Sequence, residues 1–202
     1  MDSDNLKRRL LSFLKKWWCS LLLLPFVYYS VLQIYWTLRY NIFFIMTFDF
    51  PFPINIVRFL IDNFLLIVHE AGHTFFSIFG VPFITILGGS LFEILLPLGI
   101  VVFTWINGHK IGMQFSLFLL ALSWFDVAAY AADGGARQLP LIGGLSKESH
   151  DWFNLLYRMD MLPYDIHFGV GLTIAGVLCC LLALLIPALI TEYEDVKLKL
   201  KV

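Results

Sequence analysis

Residues 17–38 form a run of 22 positions without one charged side chain. That run constrains the fold more than any other feature. A helix needs about 20 mainly apolar residues to cross the hydrocarbon core of a bilayer. The run outlasts a signal-peptide core and lacks a clear small-residue cleavage site, so it reads as an uncleaved span. Trp17, Trp18, Tyr35 and Trp36 lie near its two ends, where interfacial aromatics sit. Composition agrees: 59% of the 202 residues are hydrophobic and 14% are charged. A typical soluble domain has roughly 45–50% and 25%. Twenty Phe and six Trp exclude a disordered chain. So much apolar surface at this length excludes a soluble monomer and a nucleic-acid-binding module. Lipid is the expected solvent. A net charge of −1 implies no global electrostatic partner. Cys19, Cys179 and Cys180 lie in apolar runs without a Cys-x-x-Cys pair.

The expected fold class is an all-α integral membrane protein: a single domain, a bundle of about five transmembrane helices. Further spans are expected near residues 56–79, 83–106, 111–132 and 168–190. Gly80-Val81-Pro82 divides the second from the third. Asn107-Gly108-His109-Lys110 is a turn signal before the fourth. Residues 39–55 hold Asp49, Pro51 and Pro53, and read as an interfacial loop or short re-entrant piece. Residues 133–167 are polar and extramembrane or interfacial. Within them, Trp152, Leu155, Leu156 and Met159 recur at helical spacing, as in a helix lying on a membrane surface. Lys7, Arg8, Arg9, Lys15 and Lys16 precede the first span and favour a cytoplasmic N-terminus. Five passes then place the charged tail, 191–202, outside. Lys197, Lys199 and Lys201 weigh mildly against that side.

The second span contains His69-Glu70-Ala71-Gly72-His73. Positions four apart on a helix share a face, so both imidazoles can reach one metal. Glu70 is rotated away by about a quarter turn and falls beside a metal-bound water. Zinc lowers the pKa of its water to about 7, and a carboxylate can then take the proton during attack on a carbonyl. Ionisable residues inside spans are costly and default to functional roles. Three within five positions need a shared explanation, and Zn2+ supplies one.

A catalytic zinc needs a third protein ligand, with the fourth position left open. Asp133 at the end of the fourth span, Glu93 within the third, and the pair His150-Asp151 are the candidates. Spans two and four run the same way, which brings Asp133 to the side where His69 and His73 lie. Glu93 is within reach on helix rise alone, and its spacing from His73 suits soluble zinc proteases with a glutamate ligand. Asp151 can orient a ligating histidine. Alternatively, His150-Asp151 can cap the following helix, with Ser149 or Asp151 at its start. Asp126, inside span four, can hold water, touch substrate or support a ligand. Gly88-Gly89-Ser90 offers backbone to the site or close helix packing. His109 and His167 read as interfacial polar residues.

A membrane-embedded HEAGH helix followed two spans later by Asp-Gly-Gly resembles the site-2 protease family of intramembrane zinc metallopeptidases. The resemblance implies zinc ligands His69, His73 and Asp133, with Glu70 as the catalytic base. Ala132 stands where the family's second motif has Leu. Residues 69–150 are also similar to a small bacterial branch without a PDZ-type domain, through Arg137, Gln138, Leu139, Pro140, Leu141, Gly143, Gly144, His150, Asp151 and Trp152. The likeness covers roughly 56–162, a peptidase-like core between the basic segment 1–16 with its first span and the last span.

The expected function is therefore a zinc-dependent endopeptidase of membrane-associated protein or peptide substrates, working in the lipid bilayer and with no nucleic-acid partner. Glu93, Asp126, His150 and Asp151 are expected around the site as supporting groups or an alternative ligand. A non-catalytic metal-binding scaffold has no need of Glu70. A divalent-metal transporter expects ionisable groups in several spans, and spans one and five contain none.

Overall fold

A computed structural model describes residues 3–190. The tail expected at 191–202 lies outside the described residues. Among those described, every regular element is helical. The helices are α1 (Ser3–Arg39), the one-turn α2 (Phe44–Thr47), α3 (Ile54–Ser77), α4 (Pro82–Ile106), α5 (Lys110–Ala132), α6 (Asp151–Arg158) and α7 (Asp165–Leu189). Short 3-10 turns occupy Ile142–Gly144, Lys147–Ser149 and Leu162–Tyr164. The breaks follow local chemistry. Gly80 takes a φ of 64° after α3, and Pro82 then opens α4 where no amide donor is required. Gly108, at φ 67°, turns the chain between α4 and α5.

Among the described residues, four helical stretches are long and apolar enough to cross a membrane: Asn5–Arg39, Pro82–Ile106, Lys110–Ala132 and Leu162–Leu189. The expected number was about five. The exception is α3, which at 24 residues is long enough. Arg58, Asp62, His69, Glu70 and His73 dilute its apolar content. α1 continues unbroken through the basic N-terminal segment. Its 37 residues extend about 55 Å, well beyond a hydrocarbon core of about 30 Å.

α5 is the central helix. It packs most extensively on α7, and also on α4 and α1. Leu23 and Ile34 of α1, Ala121, Leu122 and Phe125 of α5, and Cys180 and Ala183 of α7 form the main core. Small residues set the α5–α7 approach. A Cβ on Gly169 would stand 2.8 Å from the Ala128 carbonyl oxygen, and one on Gly176 would meet the Phe125 ring at 2.5 Å. Buried Gln114 fastens three helices together. Its Nε2 donates to Ser20 Oγ on α1 and to the Ala183 carbonyl on α7, both at 2.8 Å.

α3 leans on α4 instead, through Gly72 and Gly88. A side chain on Gly72 would collide with the Gly88 carbonyl, and one on Gly88 with Phe76. α3 makes no comparable contact with α5, and the space between them is a cavity. α6 corrects the surface-helix expectation. Its apolar face, Trp152, Leu155 and Leu156, packs on Val127 and Ala131 of α5. Trp152 Nε1 also donates to Ser90 Oγ on α4 at 3.0 Å. Protein, not lipid, covers that face.

Candidate metal centre

One stripe of α3 presents Arg58, Asp62, Leu65, His69 and His73 in succession, at intervals of three or four residues. All five line a cavity of about 580 Å³. Asp126, Val127 and Tyr130 of α5 form its opposite wall, and residues between Leu139 and Leu145 lie over it together with Ile45 and Met46.

Within this cavity the two imidazoles are oriented from behind. His73 Nδ1 lies 2.9 Å from the Thr85 carbonyl oxygen. A carbonyl only accepts, so Nδ1 carries the proton and Nε2 is left for ligation. Glu93 Oε2 lies 3.0 Å from His69 Nδ1 and, as a carboxylate, accepts its proton in the same way. The two Nε2 atoms then converge on a single oxygen, Asp151 Oδ2, each at 3.1 Å. A neutral imidazole with its proton on Nδ1 presents a lone pair at Nε2. Such a lone pair faces a carboxylate at this distance only with a cation between them, either a proton or a metal. Burial would raise the Asp151 carboxyl. Where a proton on each Nε2 fills that place, hydrogen bonds from His69 and His73 outweigh burial and hold it below the ordinary carboxylate range.

The donor set fits a divalent metal. His69, His73 and Asp151 offer three ligand atoms within 4.8 Å of one another. Donors at about 2.0–2.1 Å from a tetrahedral zinc stand roughly 3.3 Å apart, close to the 3.1 Å from each Nε2 to Asp151 Oδ2. Gly89 of α4 keeps the space open: a Cβ there would lie 2.6 Å from both Nε2 atoms. Three protein donors also leave one position for water or substrate.

Asp133, expected as the third donor, lies outside this group, and Asp151 stands in it. Asp133 is 0% exposed, and its oxygens are already occupied. Oδ1 accepts the Gln138 N–H and Oδ2 the Leu139 N–H, both at 2.8 Å. His150 Nε2 stands 3.3 Å from the same Oδ2. The site accordingly joins α3 to the first residue of α6, not to α5 as expected. His150 is the helix cap in place of Ser149 or Asp151. Its Nδ1 accepts the Phe153 N–H at 3.3 Å, so Nε2 bears the proton donated to Asp133. Glu93 supports His69 and is not one of the three grouped donors. Glu70 is half-buried in the cavity lining, one residue along α3 from His69. Asp126 also lines the cavity but pairs with Arg58 at 3.6 Å, away from the histidines. His109 and His167 do not line it.

Sequence reasoning missed Arg58, Thr85 and Tyr130. Arg58 was detectable, because an arginine inside an apolar stretch of span length is itself a functional signal. Thr85 acts through its carbonyl, which no side-chain pattern reveals. Tyr130 accepts the Asp151 N–H on its hydroxyl oxygen at 3.1 Å, a contact that depends on tertiary placement. Comparison with protein-family models, curated proteins and solved structures finds no match for this chain.

Proposed function

We propose that this chain is a membrane-embedded zinc endopeptidase acting on membrane-associated polypeptides, with its N-terminus on the cytoplasmic side. The observation that carries the reading is the placement of Glu70. It shares a helix with two imidazoles whose Nε2 atoms converge on the Asp151 carboxylate, and it lines the same cavity. Among the described residues its carboxylate has no hydrogen-bond or ion-pair partner, so the fold gives it no structural task. A scaffold would not need such a group.

His69, His73 and Asp151 would hold the metal, and zinc supplies Lewis acidity toward water and a peptide carbonyl. Glu70 takes the proton from the attacking water as its oxygen bonds to the carbonyl carbon. It then delivers that proton to the amine nitrogen as the C–N bond breaks. Glu93 and the Thr85 carbonyl keep both imidazoles in the ligating tautomer throughout. Arg58, Asp62 and Asp126 make the far end of the cavity polar, which lets water stand against a helix otherwise suited to lipid. On this reading α3 is a fifth membrane crossing, screened from lipid along its polar stripe.

The test is zinc content and hydrolysis of quenched fluorogenic Leu/Ala-rich decapeptides by purified, reconstituted protein. Glu70→Gln should keep its zinc and lose activity by roughly 10²–10⁴-fold. Equal activity in the two proteins sinks the proposal.

A further inference from the structure

Attack on a peptide carbonyl puts negative charge on its oxygen, and a donor aimed at that oxygen is often the largest single contribution to catalysis. Few groups lining the cavity can serve. Arg58 lies 11 residues before His69 on α3, about 16 Å along the helix axis. Thr85 gives its hydroxyl proton to the Val81 carbonyl at 3.2 Å. Ser149 is exposed on the loop that leads to the site.

Tyr130 is placed differently. It projects from α5 into the cavity opposite the imidazoles. Its ring meets His69 edge-on at 5.8 Å, with an interplanar angle of 66°, and lies 4.3 Å from the ring of His150. The Asp151 N–H donates to its hydroxyl oxygen at 3.1 Å. That bond fixes the oxygen beside the backbone of a metal-site residue and uses one lone pair. The phenolic proton is not used by it, and among the described residues that proton has no acceptor. A half-buried O–H held beside the metal group, with its proton uncommitted, is a donor waiting for an oxygen.

We propose that Tyr130 is a catalytic residue whose O–H hydrogen-bonds the carbonyl oxygen of the scissile peptide as that oxygen becomes anionic. The inference rests on the peptidase reading above. Tyr130 gives up no proton in the cycle: water adds to the carbon, Glu70 moves the proton to the amine, and the phenol only donates a hydrogen bond.

Tyr130→Phe tests this, because it keeps the ring packed against His69 and His150. Three readouts are needed: bound zinc, KM and kcat on the decapeptides, and affinity for a phosphinic pseudopeptide, whose tetrahedral anionic oxygens mimic the developing charge. Zinc should stay within about twofold of wild type. With one donor to the developing oxyanion removed, kcat should fall by about 10²–10³-fold, KM should change little, and the phosphinic compound should weaken far more than the parent peptide. Unchanged kcat overturns the proposal. So does loss of zinc in proportion to activity, which would make Tyr130 only an anchor for Asp151. Should Phe disturb the fold, 3,5-difluorotyrosine at this position keeps the ring and strengthens the donor. It should then retain activity while shifting the alkaline limb of the pH profile downward, and an unshifted limb again overturns the proposal. A zinc-loaded wild type that neither cleaves the peptides nor binds the phosphinic compound defeats the peptidase reading itself, a result separable from failure of the Tyr130 variants alone.

Discussion

Gly89 shows how little room the candidate centre leaves. A single methyl group at this position would stand 2.6 Å from Nε2 of both His69 and His73. The imidazoles would have to turn, and their bonds to Glu93 and the Thr85 carbonyl resist turning. Gly89→Ala should therefore weaken zinc binding by roughly 10–100-fold, the scale of losing a ligand's supporting partner. Competition against a chelator of known affinity measures it. The neighbouring Gly88→Ala meets the Phe76 ring instead and should lower thermal stability with zinc affinity nearly intact. Equal zinc affinity in Gly89→Ala and wild type would show that the ion does not sit between these histidines. The sequence made His69, Glu70 and His73 legible, because the spacing of a helix is itself the geometry of the pair. It did not make Asp151 legible over Asp133. Both are acids after span four, and only the path of the intervening loop decides which reaches the imidazoles.

At the scale of elements, that loop is the part that decides. Residues 134–150 leave α5, pass over the cavity and return to start α6 beside the histidines. Buried Asp133 folds the loop back by accepting from Gln138 and Leu139 near its start and facing His150 at its end. His150 in turn caps α6, which places Asp151 in the helix's first turn. α6 is then fixed from the other side by Trp152 against Ser90. A ligand and a loop latch predict different outcomes at Asp133. Asp133→Asn keeps one of the two acceptor oxygens that hold the loop amides and should retain more bound zinc than Asp151→Asn, which should lose it. Asp133→Ala leaves two amides and an imidazole N–H unpaired in a buried site, at about 3–9 kcal/mol together. It should lower the unfolding midpoint in detergent and loosen zinc as a consequence. Zinc lost in Asp133→Asn but kept in Asp151→Asn would restore Asp133 as the ligand. The helices themselves were largely legible, since glycine and proline stop them where the apolar runs end. α6 was legible as a helix but not in its partner. Its apolar stripe reads the same whether lipid or α5 covers it.

Over the whole molecule, α4 joins α3 to the other long helices, and the cavity lies where α3 parts from α5. α1, α5 and α7 share one core, and α3 is held mainly by α4. Arg58 clasps α3 to α1 and α5 across the gap. Arg58 is 2% exposed, and its Nη2 reaches Gln33 of α1 at 3.4 Å, Asp62 of α3 at 2.9 Å and Asp126 of α5 at 3.6 Å. The Phe50 ring lies 5.5 Å beneath it. Removing one partner of a buried charge cluster costs about 3–5 kcal/mol, because the remaining charges lose their compensation. Asp62 and Asp126 keep side-chain exposures of 42% and 23%, so water offsets part of that loss. Arg58→Met should cost about 2–3 kcal/mol after this discount, read as a lower unfolding midpoint in a fixed detergent. Adding Asp62→Asn and Asp126→Asn to Arg58→Met should recover more than half of the loss, since no uncompensated carboxylate then remains. Zinc affinity should change little in either variant, because Arg58 lies about three helical turns from His69 and Asp62 about two. A clasp that only fills space would give a different pattern: Met would be tolerated outright, and the two amide substitutions would add damage instead of removing it.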